Sequence, residues 1–277
     1  MDVLVVVGVG GMGETIARRQ AVGRKTVLAD FNEAALEATA EKMRIDGFDV
    51  VTRKIDVSSR ESVEDAAAYS ASLGRVAQVV HTAGLSPTQA PLAAILRVDL
   101  VGVALSLEAF GNVIADGGAG VVISSSSGYL TPAFTAEQEQ LIRTTSPEGL
   151  LDLPFFSPDA LGNSAGLAYG MSKRANRVQV QHASGHWGTR GARINSVSPG
   201  VISTAMGIQE LASPSGAFMR GMVEQSGTGR LGTPSDIADS VTFLLGPQAS
   251  FITGIDLLTD GGAVAAVTSG RVPMPGR

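Results

Sequence analysis

The chain has 277 residues, of which 44% are hydrophobic and 17% charged, and these values predict one large domain with an ordinary buried core. Its formal net charge of −5 disfavours nucleic acid and anionic membrane surfaces as partners. There are no cysteines, which excludes disulfides and thiolate chemistry and is compatible with a reducing compartment, so we expect a cytoplasmic protein. The apolar run Val3–Val9 is too short to span a bilayer and is expected to be a buried strand.

Short β-branched runs alternate with longer segments of helical period along the whole chain. Seven strands separated by helices predict a parallel sheet, and the right-handed crossover rule favours a single-domain doubly wound (Rossmann) α/β fold over residues 1–277. Such a fold binds ligands outside the carboxyl ends of its strands. The predicted strands are Val3–Val7, Thr26–Ala29, Val50–Lys54, Val76–Val80, Gly120–Ser124, Arg193–Ser198 and Ile255–Thr259.

A glycine-rich turn follows the first strand and leads into a helix predicted over Glu14–Gln20. Glycines allow the backbone to turn tightly and to approach a pyrophosphate, whose charge is stabilised by the free amides at the start of the helix. The alternative is a tight turn that binds nothing. The residues of the turn that we expect to contact a dinucleotide are Gly8, Gly10, Gly11, Met12 and Gly13.

Two aspartates that follow strands are candidates for binding the adenosine half of a dinucleotide. Asp30 ends the second strand, where it can accept hydrogen bonds from both ribose hydroxyls, and its charge would repel a phosphate. We therefore predict NAD in preference to NADP, with Arg24 or Lys25 as the cations that a phosphate would need. Asp56 and Val57 follow the third strand and are predicted to contact the adenine, with a helix N-cap as the alternative for Asp56.

Tyr169 and Lys173 are four residues apart on a predicted helix, so they share one face of it. An ammonium beside a phenol lowers its pKa, and a shift from about 10 to about 7 requires roughly 4 kcal/mol. A positive charge about 4 Å away supplies this energy at an effective dielectric constant near 20. The pair is thus a candidate proton donor, with a solvated lysine beside a packed tyrosine as the alternative. Ser124–Ser127, at the end of the fifth strand, is typical of a turn or of a substrate site.

The order and spacing of these motifs resemble the classical short-chain dehydrogenases/reductases from Val3 to Gly262. The resemblance implies an enzyme that interconverts an alcohol and a ketone or aldehyde with a nicotinamide cofactor, and a homo-oligomer, tetramer or dimer. The motifs that carry it are the glycine turn, Asp56-Val57, Thr82-Ala83-Gly84, Ile123-Ser124-Ser125, Tyr169-Gly-Met-Ser-Lys173, Ser198-Pro199-Gly200 with Ile202 and Thr204, and Asp260-Gly261-Gly262.

The resemblance also assigns roles to individual residues. Tyr169 would be the general acid/base, Ser125 would hydrogen-bond the reacting oxygen, and Lys173 would lower the pKa of Tyr169 and bind the nicotinamide ribose. No metal ion is expected. The remaining cofactor contacts would be Ala83 and Gly84 at the floor of the site and Pro199, Gly200, Ile202 and Thr204 around the nicotinamide.

Two residues depart from the family pattern near this centre. Asp99 stands where the family has a catalytic asparagine, and it can replace that residue if the asparagine acts through its backbone carbonyl but not if the amide is needed. His81 stands in place of another asparagine, and we interpret it as a hydrogen-bonded packing residue in preference to a catalyst.

A segment of about residues 129–168 interrupts the alternation of strands and helices and separates Ser125 from Tyr169. It resembles an enlargement found in bacterial reductases related to hydroxysteroid dehydrogenase/carbonyl reductase, which implies a bulky alicyclic or aromatic substrate. We expect a short helix over Ala136–Thr144 and either a lid or an oligomer contact. Leu150–Phe156 and Ala205–Met222 are candidates to line a substrate pocket or simply to pack. The tail after Ala263 is expected to lie loose or to cross a subunit boundary.

Two other functions fit parts of the sequence. A sensor or scaffold that binds NAD without turnover would explain Asp99, whereas the intact Ser125, Tyr169 and Lys173 favour an enzyme. A sugar-nucleotide epimerase or dehydratase usually carries a longer C-terminal substrate domain, which this chain lacks.

Overall fold

The computed structural model describes residues 1–273 and contains one sheet of seven parallel strands. Their spatial order is β3-β2-β1-β4-β5-β6-β7, which confirms the doubly wound α/β fold. The strands are β1 (Asp2–Val7), β2 (Lys25–Asp30), β3 (Val50–Lys54), β4 (Arg75–His81), β5 (Ile114–Ile123), β6 (Arg193–Pro199) and β7 (Asp256–Thr259).

Helices cover both faces of the sheet. A π-helical turn over Leu96–Val101 joins two of them, and short 3₁₀ turns lie at Glu148–Asp152, Pro154–Phe156 and Pro247–Ala249. The α-helices are α1 (Gly11–Gln20), α2 (Glu33–Ile45), α3 (Arg60–Ser72), α4 (Leu92–Ile95), α5 (Gly102–Val113), α6 (Ser127–Leu130), α7 (Ala136–Thr144), α8 (Ala165–Gly188), α9 (Ala205–Leu211), α10 (Gly216–Glu224), α11 (Pro234–Leu245) and α12 (Ala263–Thr268).

Alternate residues of β1 enter two different hydrophobic cores. Val5 packs on the face that also holds Phe110 and Trp187, whereas Leu4 packs on the opposite face against the core that contains Ile16. All five side chains are at most 1% exposed. Because successive side chains of a strand point to opposite faces, the uninterrupted apolar run Val3–Val7 of β1 must be covered on both sides. The apolar β1 therefore fixes the centre of the sheet.

The strand order reverses between β1 and β4, and this reversal creates a crevice at their carboxyl ends. The backbone amides of Thr82 and Ala83 donate to the Val7 carbonyl at 2.7 and 3.0 Å, and the Thr82 hydroxyl donates to the Gly8 carbonyl at 2.8 Å. These bonds hold the glycine turn after β1 against the turn after β4. The predicted dinucleotide site lies at this junction.

The segment inserted before Tyr169 forms an apolar cluster of its own. Its helix α7 has the predicted bounds and begins with a capping box between Thr135 and Gln138. The rings of Phe134, Phe155 and Phe156 lie 4.8–6.0 Å apart, and the cluster packs on α4, the π-helical turn and α8. The residues around Leu150–Phe156 are thus held against the outside of these helices. Whether the segment acts as a lid or as an oligomer contact stays a prediction.

The expectation of a loose tail is wrong for the residues that follow Gly262. Helix α12 forms there, and Ala266 and Val272 are buried against Met222 of α10. Burial of these small apolar side chains compensates for ordering the chain. Pro275 and Gly276 lie outside the described residues. Within residues 1–273, no helix combines the length and the hydropathy that crossing a membrane requires.

Candidate active site

The glycine turn after β1 lines a cavity of about 590 Å³ at the carboxyl ends of β1 and β4. Gly8 has φ +95°, and a Cβ atom there would lie 2.6 Å from the Ala83 nitrogen. A Cβ atom on Gly13 would overlap the Gly8 carbonyl, whereas one on Gly10 would meet no atom within 4 Å. Gly8 and Gly13 are therefore needed for the fold of the turn, and Gly10 keeps space free for a ligand.

The residues of this cavity fit a dinucleotide. Helix α1 starts inside it and has no side-chain cap, so its first amides remain available to a pyrophosphate. Of the sequence-predicted cofactor residues, the structure brings Gly8, Gly10, Gly11, Met12, Gly13, Asp30, Asp56, Val57, Ala83, Gly84 and Thr204 to this cavity.

Asp30 is half-buried at the end of β2, where its two carboxylate oxygens accept hydrogen bonds from the backbone amides of Val9 and Asn32, both at 2.8 Å. These bonds hold the carboxylate at the cavity wall and still leave lone pairs for a ribose. Neither cation proposed for a phosphate lies beside it. Arg24 donates to the Gln20 carbonyl and Lys25 pairs with Asp49, both at the opposite end of β2.

Lys54 is the cation that strand register brings beside Asp30, since the two residues are partners in the β2–β3 ladder. Its ammonium lies 3.3 Å from the Glu33 carboxylate and is mostly exposed. The sequence-based interpretation missed Lys54, although its place at the end of β3 was the available signal.

Asp56 is not a helix N-cap, so that alternative is wrong. Ser59 caps α3, and its hydroxyl accepts from the Ser62 amide. One Asp56 oxygen instead accepts from the amide and hydroxyl of Ser58 at 2.9 and 2.7 Å, which leaves the other oxygen without such a bond at the cavity. This arrangement fits the predicted contact with an adenine amino group.

A second cavity, of about 250 Å³, adjoins the first, and Met12, Thr204 and Met206 line both. It contains the hydroxyl side chains of Ser125 and Tyr169. Its other predicted cofactor residues are Pro199, Gly200 and Ile202. The two parts of the predicted site are therefore continuous, with the candidate catalytic hydroxyls beside the predicted nicotinamide position.

Lys173 lies beneath these cavities with a side chain that is 4% exposed. Its Nζ atom lies 5.5 Å from the centre of the Tyr169 ring and donates to the Ile123 carbonyl at 3.3 Å. The Asp99 carboxylate, carried by the π-helical turn, lies 3.5 Å away on the other side. A Cβ atom on Gly84 would lie 3.2 Å from Nζ, so the ammonium packs directly behind this glycine of the cavity wall. Lys173 itself, a predicted cofactor contact, is not among the described lining residues of either cavity.

The expected lowering of the Tyr169 pKa is not found. Burial of the hydroxyl raises the pKa of Tyr169, the negative charges of Asp99 and Glu210 raise it further, and the nearby Ser125 hydroxyl opposes the change. The Lys173 ammonium lies 3.5 Å from the Asp99 carboxylate, whose negative charge offsets the effect of the ammonium on the Tyr169 phenol. Tyr169 and Lys173 thus have the expected spacing, but burial and the Asp99 charge beside them prevent the lowering of the Tyr169 pKa that the spacing suggested.

Asp99 is fully buried. An asparagine there could accept the same hydrogen bonds, but it would not carry the charge that faces Lys173. One carboxylate oxygen accepts from the Leu85 amide at 2.8 Å, and the other faces the Lys173 ammonium at 3.5 Å without forming a closer hydrogen bond within residues 1–273. Its backbone carbonyl accepts from the Asn176 side chain at 2.8 Å. Burial raises the pKa of the Asp99 carboxyl, and the charge of Lys173 acts in the opposite direction.

His81 is buried as expected, but it is not hydrogen-bonded. Both ring nitrogens lack a partner among the residues that the structure describes. Burial, with a smaller contribution from the Lys173 charge, lowers the pKa of His81 to about 3. The imidazole is therefore a neutral packing group below the site.

Sequence reasoning missed several residues that line the two cavities. Phe31 and Gln89 line the first and Glu210 lines the second, where Glu210 is the one charged residue of the described lining. Phe31 directly follows Asp30 and could have been inferred from that position, whereas Gln89 lies in a segment without a motif. Glu210 belongs to the candidate segment Ala205–Met222, but it was not singled out from the sequence. The candidate substrate segment Ala205–Met222 does line the second cavity, and from the inserted segment Leu130 and Gly166 are among the described lining residues.

This combination of a reversing parallel sheet and a glycine turn at its crevice defines a dinucleotide-binding protein. Residues 2–136 match the family model described as short chain dehydrogenase, and residues 155–264 match the model described as Enoyl-(Acyl carrier protein) reductase. The chain is 41% identical over 263 residues to the short-chain dehydrogenase/reductase bsc3 of Alternaria brassicicola, with 95% of each chain covered. The chain therefore belongs to the short-chain dehydrogenase/reductase family, whose members are oxidoreductases with a nicotinamide cofactor.

Two further relatives extend this likeness. The galactitol 2-dehydrogenase (L-tagatose-forming) of Cereibacter sphaeroides is 28% identical, with 93% of this chain and 92% of that protein covered. The crystal structure of a dehydrogenase/reductase from Sinorhizobium meliloti 1021 is 26% identical and superimposes with a TM-score of 0.74, over 95% of this chain and 94% of that one. The family's fold thus extends over nearly the whole chain.

Proposed function

We propose that this protein oxidises an alcohol to a ketone, or reduces the ketone, with NAD(H) preferred over NADP(H). The observation that carries the proposal is the convergence of Ser125 and Tyr169 on one cavity that is continuous with the dinucleotide cavity, with Lys173 beneath both. Hydroxyls at such a junction can bind the oxygen of a substrate whose carbon faces a nicotinamide.

The roles of the residues follow from this arrangement. In oxidation the substrate carbon loses a hydride and its hydroxyl loses a proton, which together leave a ketone. A nicotinamide held in the adjoining dinucleotide cavity would accept the hydride. Tyr169 takes the proton as its phenolate, Ser125 donates a hydrogen bond to the reacting oxygen, and the Lys173 ammonium stabilises the phenolate. Asp99 keeps Lys173 in place through its carboxylate, 3.5 Å from Nζ.

The preference for NAD rests on Asp30. Its carboxylate is fixed by two backbone amides at the wall of the cavity, where it favours ribose hydroxyls and repels a phosphate. Arg24 and Lys25 are engaged at the other end of the strand, and Lys54 is paired with Glu33. A phosphate at this position would therefore have to displace an existing ion pair.

The proposed substrate is a bulky alicyclic or aromatic alcohol or ketone. The second cavity has an apolar wall, which favours a hydrocarbon body next to the reacting group. The large apolar side chains of this wall are Leu130, Met206, Phe218, Met219 and Met222.

A substrate panel tests the proposal. Purified protein is mixed with alicyclic and aromatic alcohols or ketones and each of the four nicotinamide cofactors, and the cofactor absorbance is followed. We expect turnover with NAD(H) that exceeds turnover with NADP(H). Cofactor binding without turnover of any member would overturn the proposal and favour the sensor or scaffold.

We also propose a homo-oligomer, tetramer or dimer, in the cytoplasm. Strand β7 is the last strand of the described sheet, so one of its edges is open. Exposed apolar side chains lie nearby, on α11 (Phe243) and in the stretch that leads into β7 (Phe251 and Ile255). An open edge with apolar neighbours favours association. Light scattering on the purified protein tests this proposal, and a monomer at micromolar concentration would contradict it.

A further inference from the structure

Glu210 stands out in the cavity that holds Tyr169. It belongs to α9, its side chain is partly buried, and it is the one charged residue among the described residues of the cavity wall. The wall around it carries Phe218, Met219 and Met222. A carboxylate on an apolar wall loses hydration when a substrate covers it. It therefore disfavours a purely hydrocarbon ligand and favours one that supplies a hydrogen-bond donor.

No cation among the described residues pairs with Glu210. Within residues 1–273 no Lys, Arg or His side chain lies within 4 Å of its carboxylate, and burial alone raises its pKa. Its charge is felt at the reacting group, because it contributes to raising the pKa of Tyr169. The carboxylate is therefore close to the proposed catalytic centre, accessible from the cavity and without a cationic partner within residues 1–273.

We propose that Glu210 determines substrate specificity by accepting a hydrogen bond from a second hydroxyl group of the substrate. The inference rests on the proposed function. The substrate class is then a diol or hydroxyketone with an apolar body, in which one oxygen reacts at Tyr169 and Ser125 and the other contacts Glu210. The name of the galactitol 2-dehydrogenase, a relative over most of the chain, also refers to a substrate with more than one hydroxyl group.

The choice of a hydroxyl donor over an ammonium follows from the surroundings. Ser124–Ser127 and Tyr169 line the same cavity with neutral hydroxyls, which match a polyhydroxylated ligand. An ammonium group of the substrate would have to lose its hydration beside an apolar wall, and the buried Lys173 ammonium nearby would repel it. An amino alcohol is nevertheless included in the test below.

The test compares cyclohexanol, the isomeric cyclohexanediols and the aminocyclohexanols as substrates for oxidation. We expect kcat/KM for the best diol to exceed that for cyclohexanol by about tenfold or more, since a hydrogen bond to a charged group has this strength. In Glu210→Leu the ratio should fall to about one, mainly through KM. In Glu210→Gln part of the preference should remain, because the amide oxygen still accepts a hydrogen bond.

Glu224→Gln is the matched control, because Glu224 is exposed at the end of α10 and is not part of the cavity wall. It should leave the ratio unchanged. Both Glu210 variants should also shift the pH profile of oxidation to lower pH, because they remove a charge that raises the pKa of Tyr169. A purely structural role of Glu210 would not produce this shift together with a loss of diol preference.

Two results would overturn the inference. One is an unchanged ratio of diol to cyclohexanol in Glu210→Leu. The other is a larger preference for an aminocyclohexanol that is lost in Glu210→Gln, which would identify a cation site. If no alcohol is oxidised, the proposed function fails instead. In that case calorimetry decides the inference. The dissociation constants of the diol and of cyclohexanol are measured with dinucleotide-loaded Tyr169→Phe and with the double variant Tyr169→Phe/Glu210→Leu. The inference holds if the diol binds more tightly than cyclohexanol in the first protein and not in the second, and it fails if the two proteins show the same ratio.

Discussion

The Asp99 carboxylate lies 3.5 Å from the Lys173 ammonium, and both side chains are buried below the candidate active site. The family's asparagine would leave the lysine without a compensating charge. Here burial raises the pKa of Asp99, the lysine opposes this shift, and the carboxylate in turn contributes to a raised pKa of Tyr169. The buried pair of Asp99 and Lys173 therefore influences the pKa of Tyr169, the proposed proton-transferring group.

Replacing Asp99 by asparagine should move the pH dependence of alcohol oxidation to lower pH. The negative charge of Asp99 raises the pKa of Tyr169, so its removal lowers that pKa and increases the phenolate fraction at a given pH. The measurement is kcat/KM for oxidation against pH in the wild type and in Asp99→Asn. Asp159→Asn, at an exposed position of the inserted segment, should keep the wild-type profile. A shift of the Asp99→Asn profile to higher pH would contradict the electrostatic account.

His81 should make the fold sensitive to acid. Burial lowers its pKa to about 3, whereas an unfolded histidine titrates near about 6.5. The unfolded state therefore takes up the proton first, and stability is full above about pH 6.5 and falls as pH decreases toward 3, by at most about 1.4 kcal/mol per pH unit. Between pH 7 and pH 5, His81→Asn should lose about 2 kcal/mol less unfolding free energy than the wild type, measured with urea. The exposed-site variant His182→Asn should behave like the wild type, and equal acid losses in all three proteins would refute the prediction.

The sheet and the cofactor turn were predictable because they depend on local patterns. Strand β3 and helix α7 have the predicted bounds, and the spacing of Gly8, Gly10 and Gly13 identified the crevice. Strand β5 begins earlier than predicted, at Ile114, because a register irregularity against β4 lets a glycine-containing stretch join the ladder. Glycine argues against a strand in sequence but is compatible with an irregular one.

The electrostatics of the site could not be predicted in the same way. The four-residue spacing shows that Tyr169 and Lys173 share a helix face, but it contains no information about the distance from Lys173 to Asp99. Likewise, the expectation that Ala205–Met222 lines a pocket did not single out Glu210, and only the tertiary fold shows that its charge lies near Tyr169. Both contacts join residues that are far apart in the chain, so their effect on a pKa appears only once the fold is known.

Gly10→Ala should weaken dinucleotide binding without destabilising the fold. Gly10 has φ −62°, which alanine adopts without strain, and its Cβ atom would meet no protein atom within 4 Å. The new methyl group would instead occupy space in the dinucleotide cavity. We expect the dissociation constant for NAD to rise by about tenfold or more, with an unfolding free energy within about 1 kcal/mol of the wild type. In Gly185→Ala, which also meets no atom within 4 Å, NAD binding should be unchanged. Unaltered NAD affinity in Gly10→Ala would place the dinucleotide elsewhere.

Asp30→Ser should relax the preference for NAD. The carboxylate that repels a phosphate is lost, whereas the smaller serine can still accept a hydrogen bond from the ribose. We expect the ratio of kcat/KM with NADPH to kcat/KM with NADH to rise by about tenfold or more. Asp49→Ser is the control, because Asp49 pairs with Lys25 at the far end of β2. An unchanged ratio, or a wild type that already prefers NADPH by about tenfold, would show that Asp30 does not select the cofactor.

Turnover by Tyr169→Phe, compared with Tyr69→Phe, tests the central claim most directly. The first variant removes the hydroxyl in the cavity beside Ser125, and the second removes a hydroxyl from α3, outside both cavities. With a substrate identified by the panel, we predict that kcat/KM falls by about a hundredfold or more in Tyr169→Phe, while calorimetry finds NAD binding retained and Tyr69→Phe remains as active as the wild type. Activity of Tyr169→Phe within about twofold of the wild type would contradict the assignment of Tyr169 as the proton-transferring group.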